Sequence, residues 1–142
     1  MLKQLFFFIR YVFINKDAAS AGALISIACD SIYMAPGSSI GAATVVNGAD
    51  GAAAPDKYQS YMRSMMRSTA EASGRDPKIA EAMVDEKIVI EGISEAGSVI
   101  TFSVSEAKKY GFCEGQYDSI EEILAAQNLE KAEILNYEED VI

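Results

Sequence analysis

The chain has 142 residues, a net charge of −9 and no histidine. Half of the residues are apolar, which suffices for one globular domain with a hydrophobic core. Because the 12 basic residues form no patch that could neutralise phosphates, the composition argues against nucleic-acid binding. The absence of histidine removes Ser-His-Asp and Cys-His mechanisms and most zinc and iron sites, so we expect neither metal nor cofactor.

The charge is unevenly distributed along what we expect to be a single domain over residues 1–142. Residues 81–142 hold fifteen acidic and four basic side chains, and residues 127–142 are predicted to form an acidic C-terminal tail. The two cysteines, Cys29 and Cys113, lie in apolar surroundings without metal-ligand spacing. We predict two buried free thiols rather than a disulfide.

The N-terminal run, MLKQLFFFIRYVFI, fits two interpretations, and its first ten residues are atypical of the rest of the chain. A signal peptide would place its basic end at Lys3 and its cleavage site near Ala19-Ser20-Ala21. However, Arg10 interrupts the apolar run, which is also shorter than the about 20 residues that span a bilayer. A β-strand from Tyr11 to Asn15 is the favoured interpretation.

The first half of the chain then alternates between helical and extended patterns. Small or apolar residues on every face predict a fully buried helix over Ala18–Cys29. A β-prone stretch over Ser31–Met34 precedes a turn at Pro36-Gly37 and predicts a strand. A second extended piece covers Ile40–Val46, and the composition of Asn47–Pro55 predicts a loop.

Two helices and a hairpin are predicted next. Apolar residues at three- and four-residue spacing predict an amphipathic helix that ends at Gly74, with Lys57 at its start and Met62, Met65 and Met66 in the core rather than at an interface. Its apolar positions are Tyr58, Tyr61, Met62, Met65, Met66 and Thr69. Asp76-Pro77 opens a helix that runs to about Val84, and Lys87–Phe102 has the pattern of a β-hairpin.

The C-terminal part contains two signals for a helix start. Ser103 with Glu106, and Ser119 with Glu122, have the spacing of a capping box. They predict short helices that end at Gly111 and near Ala126, separated by a brief strand at Phe112-Cys113. Mixed strands and helices in alternation predict an α/β fold.

One hydroxyl stands out in KDAASAGA, residues 16–23, where a strand gives way to a helix. Ser20 could cap the helix, or it could be a nucleophile. The free N–H groups and positive dipole end of the first helical turn would stabilise an oxyanion beside it. Because serine is common in this position, the cap is the simpler interpretation of this segment alone.

Three segments in order carry a resemblance to a known family. They are AASAGALISIACDSIYMAPGSSIGAATVV, DKYQSYMRSMMRSTAEASGRDPKIAEAMV and SVSEAKKYGFCEG, within residues 11 to 125. Together they resemble ClpP-class serine peptidases of the NfeD type (nodulation formation efficiency D), which are related to signal peptide peptidase A. The resemblance implies a ClpP/crotonase-like α/β fold, incomplete at its N-terminus.

The resemblance also implies roles for particular residues. Ser20 matches the nucleophile and Lys57 the general base, while the backbone N–H of Ala21 matches one oxyanion donor. The segment Ile40-Gly41-Ala42 falls where the family lines its substrate groove.

The position of Lys57 can also be judged from the residues around it. Asp56 is a plausible N-cap, which would place Lys57 first in the helix, on one stripe with Tyr61 and Met65. Its amine would then point toward the core, where burial favours the neutral form that a base needs. The alternative is a surface lysine that pairs with Asp56.

By resemblance, the chain is a serine endopeptidase that cleaves hydrophobic segments of membrane-associated proteins such as stomatin relatives. Membrane-associated or extracytoplasmic location and homo-oligomers are also implied, although the chain has no predicted spanning segment. The family builds about two βα units before the nucleophile strand, and a Gly-Gly turn there supplies a second oxyanion amide. Only about ten residues occupy that place here, so we expect little activity from these 142 residues alone.

Two other functions stay open at this point. An inactive ClpP-like interaction module would keep Ser20 and Lys57 but lack the machinery around them. A crotonase-type acyl-CoA enzyme shares the implied fold, but the sequence offers no clear site for an adenine nucleotide.

Overall fold

A computed structural model describes residues 8–138, which form a mixed α/β fold with two small sheets. The elements in chain order are β1 (Tyr11–Ile14), β2 (Asp17–Ala19), α1 (Ala21–Ile27), β3 (Ser31–Met34), β4 (Ser39–Gly41), α2 (Asp56–Ala72), α3 (Pro77–Ala82), β5 (Thr101–Ser103), α4 (Val104–Lys109), β6 (Gly115–Gln116) and α5 (Ile120–Ala126). The signal-peptide interpretation rests largely on residues 1–7, and the end of the predicted acidic tail on residues 139–142; both lie outside the described residues.

Two stretches of chain, residues 11–19 and 31–41, each contribute one strand to each of the two sheets. In the first sheet, β3 lies between β1 and β6, and all three strands are parallel. In the second, β4 pairs in parallel with β2 and antiparallel with β5. Hydrogen bonds from Ala35 N–H to the Ile14 carbonyl and from Ser39 N–H to the Lys16 carbonyl, each 2.9 Å, connect the two pairings. The chain therefore changes sheet twice without losing its parallel alignment.

The predicted helix over Ala18–Cys29 is wrong at its start. Ala18 and Ala19 belong to β2, where they pair with Ile40 and Gly41 of β4. Tertiary pairing here overrides the high helix propensity of alanine. The helix is also not buried on every side, because Ile25 is 63% exposed.

The hydrophobic core lies between the sheets and helices α1, α2 and α3. Its largest fully buried side chains are Phe112, Ile27, Ile32, Met34, Ile40, Met66 and Met83. Met62 and Met66 face this core, as predicted, and Met65 is half-buried against it. Tyr61 is 67% exposed, so the predicted apolar stripe of α2 points partly outward. Each large apolar side chain that is buried contributes roughly 1.5–3 kcal/mol.

A buried arginine ties the end of α1 to the first sheet. Arg75 is 6% exposed, and its guanidinium donates to the carbonyls of Ile27 and Cys29 at 3.0 Å each. It also pairs with Glu114 at 3.4 Å, and the Glu114 carboxylate accepts the backbone N–H of Ile32 in β3. These bonds satisfy carbonyls that the helix C-terminus leaves without partners.

Local signals correctly predict how α2 and α3 are joined. The chain turns after α2 at Gly74, whose φ of 76° suits glycine. Asp76 caps α3 by accepting the N–H groups of Lys78 and Ile79 at 2.8 and 3.3 Å, and Pro77 is the first helical residue. The two helices therefore meet in a tight, well-capped corner.

The predicted hairpin over Lys87–Phe102 is wrong. Its first half forms turns, in which Ser94 N–H donates to the Ile90 carbonyl and Gly92 adopts a φ of 78°. Ile88, Ile90 and Ile93 pack against the core without pairing as strands. Only its end becomes extended, because Phe102 pairs with Ile40 when β5 joins β4.

The predicted strand at Phe112-Cys113 is also wrong, since the strand lies at Gly115–Gln116. Phe112 instead follows the turn that ends α4, with its N–H bonded to the Ala107 carbonyl at 2.7 Å. Both helix starts are confirmed: Ser103 and Glu106 form a complete capping box, and Ser119 accepts the N–H of Glu122.

Both cysteines are free thiols, as predicted. Cys113 is buried, and this burial raises the pKa of its thiol. Cys29 is only half-buried and donates to the Ile25 carbonyl at 3.4 Å. The environment of Cys113 therefore disfavours a reactive thiolate.

The capping box of α4 predicts a pH-dependent stability. Hydrogen bonds from the backbone and side chain of Ser103 lower the pKa of Glu106 below its usual 4.5. The folded protein therefore gains stability above about pH 4.5 and loses it as the pH falls through the lowered pKa. Ser103→Ala should reduce the free energy of unfolding by about 1 kcal/mol at neutral pH and weaken this acid dependence.

Urea unfolding of the parent and variant between pH 3 and pH 7 measures both effects. Ser98→Ala, at an exposed serine outside the capping box, is the control. An unchanged acid dependence in Ser103→Ala would show that Glu106 gains nothing from the Ser103 hydroxyl.

Candidate active site

Ser20 has a strained backbone at the junction of β2 and α1. Its φ of 54° and ψ of −122° lie outside the regions that non-glycine residues normally occupy. It lies at the N-cap position, but its side chain makes no capping hydrogen bond. The cap interpretation therefore does not account for this serine, and strain of this kind is typical of functional sites.

The backbone of Ser20 is held from both sides. Its N–H donates to the carbonyls of Gly41 and Ala42 at 3.3 and 3.1 Å, just where β4 ends. Its carbonyl accepts the N–H groups of Ala23 and Leu24, at 3.0 and 3.3 Å, in the first turn of α1. The structure thus brings Ser20 next to two of the three residues predicted to line the groove.

The residue at position 41 must lack a side chain. Gly41 has a φ of 139°, and a Cβ there would lie 2.3 Å from the Ile100 carbonyl oxygen and 2.9 Å from the Thr101 Cα. Ala42 also has a positive φ, of 44°. Ile40 and Gly41 are buried and Ala42 is half-buried, so of the three predicted groove residues only Ala42 keeps exposed surface beside Ser20.

The N–H groups at the start of α1 provide hydrogen-bond donors. Within residues 8–138, the backbone N–H groups of Ala21 and Gly22 have no acceptor. Such groups and the helix dipole favour a negative charge close to the Ser20 hydroxyl. This geometry is compatible with the predicted role of Ala21 as an oxyanion donor.

Lys57 does not occupy the predicted environment. It is the second residue of α2, which begins at Asp56 after Pro55, and it is exposed. Its Nζ lies 4.8 Å from the centre of the Tyr58 ring. The expectation that its amine points into the core is wrong, because this face of α2 is turned to solvent.

The alternative for Lys57, an ion pair with Asp56, is also not seen. The Asp56 carboxylate lies 3.4 Å from Arg63, which also pairs with Asp85 at 3.0 Å. Arg63 was not singled out by the sequence, although its spacing of seven residues from Asp56 permits this contact. In the part of the chain that is described, no hydrogen bond joins Lys57 to Ser20.

An apolar groove runs between α1 and α2 and begins one turn after Ser20. Its volume is about 380 Å³. Its lining residues are Leu24, Ile25, Ala28, Ser64, Met65, Ser68 and Thr69. The groove provides uncovered apolar surface close to the candidate nucleophile.

Residues 9–137 match the protein family described as NfeD1b, N-terminal domain. The chain belongs to this family. It is 39% identical over 123 residues to the membrane protein NfeD1b of Bacillus subtilis strain 168, and 34% identical over 124 residues to the membrane-bound protease PH1510 of Pyrococcus horikoshii OT-3. These matches cover 86% and 84% of the chain but 28% and 25% of the relatives, so the chain spans about a quarter of their length.

Solved structures of 1510-N, a membrane-bound stomatin-specific protease, have a similar fold. An alanine variant of one serine gives a TM-score of 0.66 at 29% identity, covering 83% of this chain and 55% of that one. An alanine variant of one lysine, in complex with a substrate peptide, gives 0.66 at 30% identity, covering 81% and 50%. The mixed α/β arrangement of this NfeD chain therefore matches that of 1510-N over the part that is covered.

None of the helices described in residues 8–138 has both the length and the apolar character needed to cross a membrane.

The lack of space around Gly41 predicts that adding a single methyl group there lowers the stability of the fold. Gly41→Ala should destabilise the fold by about 3 kcal/mol or more, because the new Cβ would overlap the backbone of β5 at an unfavourable φ. Gly48→Ala is the matched control, since a Cβ there meets no atom within 4 Å. Chemical denaturation compares the two, and equal stability would contradict the close approach at Gly41.

Proposed function

We propose that the chain is the catalytic part of a ClpP-class serine peptidase, with Ser20 as nucleophile and Lys57 as general base. The observation that carries the proposal is the strained backbone of Ser20, whose hydroxyl does not cap the helix that it begins. A serine held this way beside unpaired N–H groups has the features expected of a nucleophile. The ClpP-class relation rests on the resemblance of the three sequence segments.

The chemistry follows from these groups. The Ser20 oxygen attacks the carbonyl carbon of the peptide bond while its proton passes to the neutral amine of Lys57. The N–H of Ala21 donates to the resulting oxyanion. The ammonium of Lys57 then protonates the leaving amine as the C–N bond breaks, and water hydrolyses the acyl ester to regenerate Ser20.

Lys57 can act as a base only where water is excluded from it. An apolar segment lying over Tyr58 and Tyr61, which are 49% and 67% exposed, would desolvate the amine beside them. The solved variants of 1510-N replace one serine and one lysine, and the lysine variant holds a substrate peptide. These residue types support the assignment of Ser20 and Lys57.

The substrate class is proposed from the same relatives. We propose apolar segments of stomatin-like membrane proteins, cleaved at a membrane-associated or extracytoplasmic location, without a cofactor. The apolar groove between α1 and α2 offers a surface that suits such a segment.

A second candidate is an interaction module that keeps both residues without catalysis. The exposure of Lys57, and the absence of a hydrogen bond between it and Ser20 in the described region, favour this alternative. Such a module would bind the same apolar segments and leave them intact.

Single and double substitutions test the pair. Ser20→Ala and Lys57→Ala should each abolish cleavage of a fluorogenic apolar peptide, and the double variant should be no worse than either, because groups that act as one unit are not additive. The exposed lysine of α3 gives the control, Lys78→Ala, which should keep the parent rate.

The assay uses the 142-residue chain alone and joined to the upstream segment of the archaeal relative. Parental activity in Lys57→Ala would remove Lys57 from the mechanism. Peptide binding without Ser20-dependent cleavage in both forms would establish the interaction module.

We also propose that the chain self-associates through its uncovered apolar surface. Ile25 and Tyr61 are 63% and 67% exposed on neighbouring helices. Sedimentation at tens of micromolar should show oligomers, and Ile25→Ser combined with Tyr61→Ser should shift them toward monomer. A parent that sediments as a monomer would contradict this proposal.

A further inference from the structure

Gln59 lies on α2, two residues after Lys57, and its amide makes three hydrogen bonds to backbone. Its Oε1 accepts the N–H of Val45 at 2.9 Å. Its Nε2 donates to the carbonyls of Val45 and Ala54, at 2.7 and 3.2 Å. One half-buried side chain therefore pairs with Val45 as a neighbouring strand would.

These contacts join the two ends of one loop. Residues 46–53 form a small antiparallel loop, closed by a bridge between Val46 and Ala53. Ala54 N–H donates to the Val45 carbonyl at 2.9 Å, so Gln59 and Ala54 share that acceptor. The loop itself is rich in glycine and alanine, which give it little intrinsic stiffness.

The segment that Gln59 holds leads directly from the neighbours of Ser20. After Ala42, the N–H of Ala43 donates to the Met83 carbonyl at 2.7 Å, and the Thr44 hydroxyl donates to the Val84 carbonyl at 2.9 Å. Val45 is the next residue. Gln59 is thus the point at which this segment is bonded to the helix that carries Lys57.

Apart from the backbone bonds that close the loop, the hydrogen bonds of Gln59 are the ones described between the first turn of α2 and that segment. Its N-cap, Pro55, makes no side-chain capping hydrogen bond. Asp56 pairs with Arg63 of the same helix, and Lys57 is exposed. The amide of Gln59 supplies a connection that capping does not.

We propose that Gln59 is a positioning residue, which sets the N-terminal turn of α2, and with it Lys57, relative to Gly41, Ala42 and Ser20. Its role in catalysis rests on the proposed function, but the clamp on Val45 and Ala54 can be measured without activity. Catalysis depends steeply on such placement, since an error of about 1 Å costs up to about 10²-fold in rate.

The first experiment measures the clamp by hydrogen exchange in the 142-residue chain. Gln59→Leu should speed exchange of the Val45 amide by about tenfold or more, because its N–H loses the Gln59 Oε1 acceptor. Exchange of the Ala54 amide should also be faster, because its acceptor, the Val45 carbonyl, is no longer held by Gln59. Gln59→Glu should do the same at Ala54, since its carboxylate cannot donate to either carbonyl. Amides of α3 should stay unchanged. The control is Gln116→Leu, at an exposed glutamine of β6.

The second experiment measures kcat and KM for the apolar peptide, in the form of the protein that shows Ser20-dependent cleavage. Gln59→Leu should lower kcat about tenfold, with a change in KM of less than about threefold. The acid limb of the kcat profile, which reports the base, should also shift. A purely structural role would lower the melting temperature but leave the pH profile of the folded protein unchanged.

The outcomes separate this proposal from the proposed function. Unchanged exchange at Val45 and Ala54 would overturn the clamp. Faster exchange with a parental kcat and pH profile would overturn the positioning role, while loss of activity in Lys57→Ala would still support the dyad. If no form cleaves the peptide through Ser20, the proposed function fails, and the positioning role fails with it.

Discussion

The site depends on the hydrogen bonds that link the Ser20 N–H to the carbonyls of Gly41 and Ala42. They hold Ser20 in a conformation that its own residue type disfavours, at a cost of order 1–3 kcal/mol. The parallel pairing of β2 with β4 brings the carbonyls there. The hydrogen bond from the Ala42 N–H to the Ile100 carbonyl, at 3.0 Å, holds the end of β4 in place. Because strand pairing and these hydrogen bonds fix the turn, the position of the Ser20 hydroxyl follows from the surrounding structure. The backbone preference of serine alone would not place it there.

The two candidate catalytic residues differ in how firmly they are held. Ser20 is attached to a core of buried strands, and the far end of its helix is bonded to Arg75. Lys57 lies on an exposed turn of α2, where Gln59 bonds the helix to the segment after β4 and Met62 and Met66 pack it against the core. A fixed nucleophile with an exposed base is an arrangement in which a substrate that covers the base completes the site.

The sequence predicts best those features that depend on neighbours along the chain. The caps at Asp76 and Ser103 lie within one turn of the groups that they bond, so their spacing was sufficient. The hairpin over Lys87–Phe102 failed because alternating apolar residues can pack as turns, and because β5 pairs with β4, some sixty residues earlier. The resemblance selected Ser20, but its positive φ depends on contacts with Gly41 that no local pattern encodes. The exposure of Lys57 was missed because helical spacing defines a stripe without showing which direction it faces.

Under the proposed chemistry, the exposure of Lys57 has a consequence for specificity. Water stabilises an ammonium, so a base at this position becomes competent only when apolar material covers it. The same material would lie against Tyr58 and Tyr61, which are exposed beside it. A polar segment would leave the amine hydrated, and would therefore be a poor substrate even if it reached Ser20. Apolar segments would then be selected in the chemical step as well as in binding. Only such a segment both occupies the site and removes water from Lys57, so that its amine can act as a base.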